Sequence, residues 1–177
     1  MTQALPQSPA IEPATGRASD VSAQVCRFWG LIPCAGRGTR TGLESPKQYH
    51  PVAGRALVLH TLAAFAAVAR LSHTLVLLAP ADDAFQGLDL SVTRACSAIP
   101  CGAQTRAGTV TNGLCALRAR GARDRDWVLV HDAARCLITP ALIDRLIDAC
   151  VGDAVGGLLA VPVSDTVKLA RGERVAH

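Results

Sequence analysis

The stretch Pro33-Cys34-Ala35-Gly36-Arg37-Gly38-Thr39-Arg40, followed by Pro46-Lys47-Gln48-Tyr49, joins glycines that admit an anion to the backbone with two cations, Arg40 and Lys47. A glycine loop directly after an apolar run is where open α/β sheets hold phosphates. An arginine and a lysine on one loop suggest phosphates that are worked on, not merely held. The loop is not a Walker A motif, because no Gly-Lys-Ser/Thr follows. Nor is it the dinucleotide pattern, whose third glycine position is not filled. Taken alone, a glycine pair after a strand also suits a tight turn, and both cations also suit a solvated surface. The Pro46-Lys47 pair favours a stiff loop that could aim the lysine inward.

Three further polar loops follow apolar runs. Cys101 to Val110 (Cys-Gly-Ala-Gln-Thr-Arg-Ala-Gly-Thr-Val) leads into a helix, so its amides and the Thr109 hydroxyl could read a base edge; an ordinary capped loop is the alternative. In His131-Asp132-Ala133-Ala134-Arg135, small alanines leave room for a ligand between opposite charges. Asp132 could hold a divalent metal or a sugar hydroxyl and Arg135 a phosphate, or the two could form a structural ion pair. His131 reads as a hydrogen-bonding support rather than a base. In Pro162-Val163-Ser164-Asp165-Thr166-Val167-Lys168, Thr166 and Lys168 share one side of an extended segment.

These loops need strands and helices to carry them. Val25 to Ile32 predicts a buried first strand. Val58, Leu62, Phe65 and Ala69 recur at helical spacing. His73 to Pro80 predicts a second buried strand, Asp82 to Leu88 a short helix, and Val92 to Cys96 a third strand. Ala107, Val110, Leu114 and Leu117 form the apolar face of a helix starting near Arg106, and Trp127 to Val130 is a strand. Thr139-Pro140 opens a helix striped by Leu142, Ile143, Leu146, Ile147 and Cys150. Val155 to Val163 and Thr166 to Leu169 read as two closing strands. The alternation implies an α/β fold of three layers, α/β/α, with a mostly parallel sheet and its ligand beyond the strand C-termini.

Composition bounds the rest. The 177 residues suit one domain over residues 27–177, and residues 1–26, rich in Pro, Ala and Ser, read as a flexible extension. Half the residues are hydrophobic and 18% are charged, which excludes a largely disordered chain. A net charge of +4 with only two Trp, one Tyr and three Phe offers no platform for nucleic acid. The apolar runs are too short and interrupted to span a membrane. The seven cysteines are scattered without a Cys-x-x-Cys pair, which fits core residues of a reducing, cytoplasmic compartment better than a zinc site.

Together the loops resemble the 2-C-methyl-D-erythritol 4-phosphate cytidylyltransferase family. Its Pro-Ala-Ala-Gly-x-Gly-x-Arg loop is matched by residues 33–40 and its Pro-Lys-Gln-Tyr by residues 46–49. Its Gly-Gly-x-x-Arg-x-x-Ser-Val segment corresponds to Gly102 through Val110, its His-Asp-Ala-Ala-Arg-Pro to residues 131–136, and its Pro-Val-x-Asp-Thr to residues 162–166. The matches keep their order from about residue 28 to the end.

The resemblance implies a Rossmann-like nucleotidyltransferase fold of the glycosyltransferase-A type. It implies transfer of a cytidylyl group from CTP to a sugar-alcohol phosphate, with Mg²⁺ and release of pyrophosphate, by a homodimer. Arg40 and Lys47 are then the catalytic cations, and Cys34, Ala35, Gly36 and Gly38 form the triphosphate cradle. Gly102, Ala103, Arg106 and Thr109 lie on the nucleotide side. Asp132, Arg135 and Thr166 would bind the acceptor, with Asp132 also at the metal. The nearest alternatives are ribitol-5-phosphate cytidylyltransferase, which Ala133-Ala134 disfavours, and a CTP-binding form without activity. Cys34 replaces a family alanine, Ala103 a glycine, Thr109 a serine and Cys136 a proline. The family continues with a dimer arm that supplies an arginine, a Leu-Trp-x-Ala-x-Thr-Pro-Gln segment and a lysine-bearing helical region. None of these follows His177, so the chain is expected to be a C-terminally truncated form.

Overall fold

The computed structural model describes residues 26–36, 45–91, 93–172 and 174–175. The strands are β1 (Phe28–Pro33), β2 (Pro51–Val52), β3 (Arg55–Ala56), β4 (Leu71–Leu77), β5 (Cys96–Ile99), β6 (Trp127–Val130), β7 (Ala170–Arg171) and β8 (Arg174–Val175). The helices are α1 (Leu57–Ala66), α2 (Arg106–Ala119) and α3 (Pro140–Cys150). The main sheet runs β5-β4-β1-β6, and every pairing in it is parallel. The chain builds outward from β1 through β4 to β5, then returns to β1's other side as β6. That reversal puts a crevice at the C-terminal ends of β1 and β6.

Strand alternation sorts the core into two layers. Ile32, Val76 and Leu78 point to α1 and α3, where Val58, Leu62, Phe65, Ile143 and Ile147 meet them. Trp29, Leu31, Leu75 and Leu77 point to the other face and pack with Leu117 of α2. Leu31, Ile32, Leu75 and Leu77 are fully buried; each contributes about 2 kcal/mol relative to exposure. This is the expected three-layer α/β/α arrangement.

Several predicted elements shift. The third strand is not Val92 to Cys96 but Cys96–Ile99. Thr93 and Ala95 lie in a turn, and Ala95 has a φ of 57°, incompatible with a continuing strand. Pairing with the buried β4 then draws Ser97 and Ala98 into the sheet despite their weak strand preference. The Asp82 to Leu88 helix is a single 3₁₀ turn, Ala84–Gly87. The first helix stops at Ala66, so Ala69 lies beyond it. The α2 face is rotated: Thr109, Gly113 and Leu117 are buried, whereas Leu114 is 40% exposed. A Cβ at Gly113 would stand 2.4 Å from Leu77 Cδ1, so the helix lies closest to the sheet where its side chain is absent.

The closing strands predicted over Val155–Val163 and Thr166–Leu169 are not formed. Residues 156–169 have no strand structure, and Val155, Leu158, Val161, Val163, Val167 and Leu169 are exposed. A strand exists only by pairing, and no described segment pairs with this one. The first strand's predicted start, Val25, and nearly all of the N-terminal extension lie outside the described residues.

At the sheet end away from the polar loops, Asp126 ties β1 to β6. Its carboxylate, 1% exposed, accepts N–H groups from Arg27 (3.2 Å), Arg123 (2.9 Å) and the Trp29 indole (3.2 Å), and pairs with both guanidiniums at 3.0 Å. Trp127 N–H donates to the Arg27 carbonyl at 2.9 Å, closing the same corner.

Candidate active site

The loops after β1, β4, β5 and β6 emerge at one end of the sheet because all four strands are parallel. The first begins at Cys34, whose N–H donates to the Leu77 carbonyl at 2.8 Å, extending the ladder by one residue. That amide is therefore not offered to a ligand. Among the described residues the Ala35 and Gly36 amides have no partner, and both residues line a cleft of about 440 Å³ with Pro46, Gln48 and the loop after β4. A Cβ at Gly36 would meet nothing within 4 Å, so the cradle is open there. Burial pushes the Cys34 thiol up to about 12, Tyr49 opposing and Asp82 adding to the effect. Cys34 is an inert core thiol, not a nucleophile.

Lys47 sits exposed on a 3₁₀ turn, Lys47–Tyr49, and no ion pair engages it among the described residues. The next two side chains anchor that turn. Gln48 Nε2 donates to the carbonyls of Cys34 and Gly36, both at 2.9 Å. Tyr49 donates its hydroxyl to Asp82 Oδ2 at 2.6 Å. Arg40 and Gly38 lie outside the described residues.

Beside this loop runs the one after β5. Gly102 N–H donates to the Leu78 carbonyl at 2.8 Å. A Cβ on Gly102 would stand 2.3 Å from Ala35 Cβ and 2.8 Å from the Leu78 oxygen, so the two loops touch because residue 102 has no side chain. Gly102→Ala is expected to push the loops apart, lowering stability by about 1–3 kcal/mol. Thermal unfolding checks this; a wild-type midpoint would contradict the contact. The Thr109 hydroxyl does not face the cleft. It is buried, accepts the Ala103 N–H at 2.9 Å and donates to the Thr105 carbonyl at 3.1 Å, so its role is to hold the loop's shape. Thr105 caps α2 by accepting the Gly108 N–H at 3.0 Å, and Ala103 keeps its methyl exposed where a glycine was expected.

The loop after β6 carries Asp132 between two arginines. Arg106 Nη2 lies 2.7 Å from Asp132 Oδ1, and Arg135 Nε 2.7 Å from Oδ2. The Asp132–Arg135 ion pair weighed from sequence is present; the reach of Arg106 from the neighbouring loop was not anticipated. Partial burial by itself raises the Asp132 carboxyl, but the two guanidiniums outweigh it and hold the group below the usual carboxylate range. The turn is pinned from beneath: buried Thr61 of α1 donates to the Ala133 carbonyl at 3.0 Å, and a His131 ring nitrogen lies 3.1 Å from the Arg135 carbonyl. All three charged residues also line a second cavity of about 1010 Å³ between β6, α3 and the segment after α3. Thr166 is exposed and makes no described contact with Asp132 or Arg135.

Sequence reading missed the side chains that hold the loops: Gln48, Tyr49 with Asp82, Thr61, and Asn112, which donates to the Cys101 carbonyl at 2.8 Å. The signal available was a polar residue at a position otherwise facing the core, as at Thr61. Gln48 was visible within its motif without a function attached.

Comparison with known proteins bears on the family of the chain. A family model described as 2-C-methyl-D-erythritol 4-phosphate cytidylyltransferase matches residues 29–177. The chain is 57% identical over 150 residues to the bifunctional enzyme IspD/IspF of Albidiferax ferrireducens, covering 85% of this chain and 36% of that protein. It is 51% identical to the 2-C-methyl-D-erythritol 4-phosphate cytidylyltransferase of Paraburkholderia phymatum, covering 80% of this chain and 60% of that enzyme. A crystal structure of 4-diphosphocytidyl-2C-methyl-D-erythritol synthase superposes with a TM-score of 0.75 at 34% identity, covering 86% of this chain and 68% of that one. The chain thus spans 60% of the length of the Paraburkholderia enzyme.

Proposed function

The chain belongs to the 2-C-methyl-D-erythritol 4-phosphate cytidylyltransferase family, and from that membership we propose that it joins CTP to 2-C-methyl-D-erythritol 4-phosphate. An oxygen of the acceptor phosphate forms a bond to the α-phosphorus of CTP, the bond from that phosphorus to the β-phosphate oxygen breaks, and pyrophosphate leaves. The attacking oxygen is already anionic at neutral pH, so no general base is required. This accords with His131, whose ring nitrogen is engaged by the Arg135 carbonyl. The observation carrying the proposal is the loop after β1, whose Ala35 and Gly36 amides have no partner among the described residues, with the exposed cation Lys47 on the turn anchored to it.

In this reading Lys47 and Arg40 stabilise negative charge gathering at the α-phosphorus. Ala35, Gly36 and Gly38 cradle the triphosphate. Gly102 and Ala103 meet the base, with Thr109 holding their loop and Arg106 bordering the nucleotide. Asp132, Arg135 and Thr166 hold the acceptor. Magnesium, when bound with the triphosphate, supplies charge neutralisation. The described residues do not fit a protein-built site for it: no three His, Cys, Asp or Glu side chains converge, and both Asp132 oxygens are engaged by arginines.

No helix among the described residues is long and apolar enough to cross a membrane, and all seven cysteines are free. The exposed apolar side chains from Val155 to Leu169 support a homodimer. The test is pyrophosphate release by the full chain with CTP and methylerythritol phosphate, with ribitol 5-phosphate as comparator. Release is expected with the first acceptor only. CTP binding without release from either acceptor would sink the catalytic proposal.

A further inference from the structure

We propose that Gln48 is the positioning residue that gives the first loop its anion-binding polarity, by holding the Cys34 and Gly36 carbonyls on one side so that the Ala35 amide is left to the cleft. The inference rests on the nucleotide reading of that cleft and assigns the device that makes the cleft receptive.

Gln48 is 6% exposed, and its single carboxamide nitrogen donates to two carbonyls of the same loop, Cys34 and Gly36, each at 2.9 Å. A nitrogen with two hydrogens serves both acceptors at once. In a trans peptide the carbonyl and the following N–H point in opposite directions. Fixing the Cys34 carbonyl toward Gln48 therefore fixes the Ala35 N–H away from it. Neither Ala35 nor Gly36 donates its amide to a described residue, and both line the 440 Å³ cleft. A loop whose carbonyls pointed into that cleft would repel a polyphosphate. With the Cys34 and Gly36 carbonyls tied back, the Ala35 amide is the group left to a cleft that Asp82 and Asp83 also line.

The anchor also sets a distance. Gln48 follows Lys47 directly on the same 3₁₀ turn, and Tyr49 ties that turn's far end to Asp82 at 2.6 Å. The turn bearing the cation and the loop bearing the amides are thereby locked to each other. Gln48 touches no reacting atom; it acts through Lys47 and the loop.

The experiment is calorimetric titration of the full chain with CTP and, separately, with inorganic tripolyphosphate. The variants are Gln48→Met, which keeps the buried volume without a donor, and Gln48→Asn, which keeps the donor one methylene short. Thermal unfolding is recorded for each. Both variants should bind CTP and tripolyphosphate about tenfold or more weakly, by similar factors, while most molecules stay folded. A purely structural defect would lower the melting temperature and the bound stoichiometry while leaving the affinity of the folded fraction unchanged. Folded variants that bind tripolyphosphate as tightly as wild type overturn the assignment of Gln48. A wild-type chain that binds neither ligand overturns the nucleotide reading itself.

Discussion

Lys47→Ala is expected to lower kcat for cytidylyl transfer by about three orders of magnitude while raising the KM for CTP far less. The reason is where charge appears. In the ground state the triphosphate is solvated and its charge is spread over many oxygens. At the five-coordinate α-phosphorus, negative charge concentrates at one point, and a cation held there gains attraction in the transition state that it lacks before it. Removing one such stabilising group costs about 10²–10³ in rate for hydrogen-bond donors and more for cations in phosphoryl transfer. Lys47 is suited to this: it is exposed, unpaired among the described residues, and carried by a turn anchored through Gln48 and Tyr49. Because its side chain is exposed, stability should change by less than about 0.5 kcal/mol. Steady-state kinetics with an unfolding control checks both halves. A kcat within tenfold of wild type refutes the assignment, and Arg40→Ala should behave alike.

Asp126→Ala should cost about 3 kcal/mol of stability. The carboxylate is 1% exposed and accepts from the backbone N–H and the guanidinium of both Arg27 and Arg123 and from the Trp29 indole. Removal takes this shared acceptor from two guanidiniums and the N–H groups beside them, a mechanism worth about 3–5 kcal/mol when fully buried. The lower figure applies because the Arg27 and Arg123 side chains are 38% and 32% exposed. Burial alone would raise this carboxyl, but the Arg123, Arg27 and Trp29 hydrogen bonds outweigh it and hold it far below its ordinary value of 3.8. With the folded value depressed, the stabilisation is present in full above the unfolded value and is lost as pH falls from about 4 toward the folded value. Urea midpoints measured from pH 6 to pH 2 should fall more steeply for wild type than for Asp126→Asn. Parallel curves would show that Asp126 carries no linked charge energy. Activity at neutral pH should survive in the folded fraction, since Asp126 stands at the sheet end away from the loops.

The parts of the fold legible in the sequence are those with local causes. Trp127–Val130 was read with its observed bounds because four apolar residues stand between Asp126 and His131. The helix α3 was read because Thr139 caps it, accepting the Leu142 N–H at 3.3 Å, and Pro140 opens its first turn. The parts misread have distant causes. Cys96–Ile99 is a strand because β4 offers it a ladder, and nothing within Ser97-Ala98 signals that. Residues 155–169 carry strand-forming residues but pair with no described segment. The same division runs through the site. Gly36, Lys47, Asp132 and Arg135 were named from residue type and spacing, and Ala35 from the family resemblance. The Arg106–Asp132 pair spans 26 positions, and Thr61 reaches Ala133 across 72.

By itself, then, the sequence determined the chemistry available at each strand end and the order of the loops that carry it. Glycines, cations and caps act through the few bonds around them, and that information is local. Only the tertiary structure decided which groups face a ligand and which face the protein. It turned the Thr109 hydroxyl inward, used the Cys34 amide in the sheet, and set Gln48 against the carbonyls of Cys34 and Gly36. A backbone group's direction depends on what its opposite side is bonded to, and that partner comes from another part of the chain.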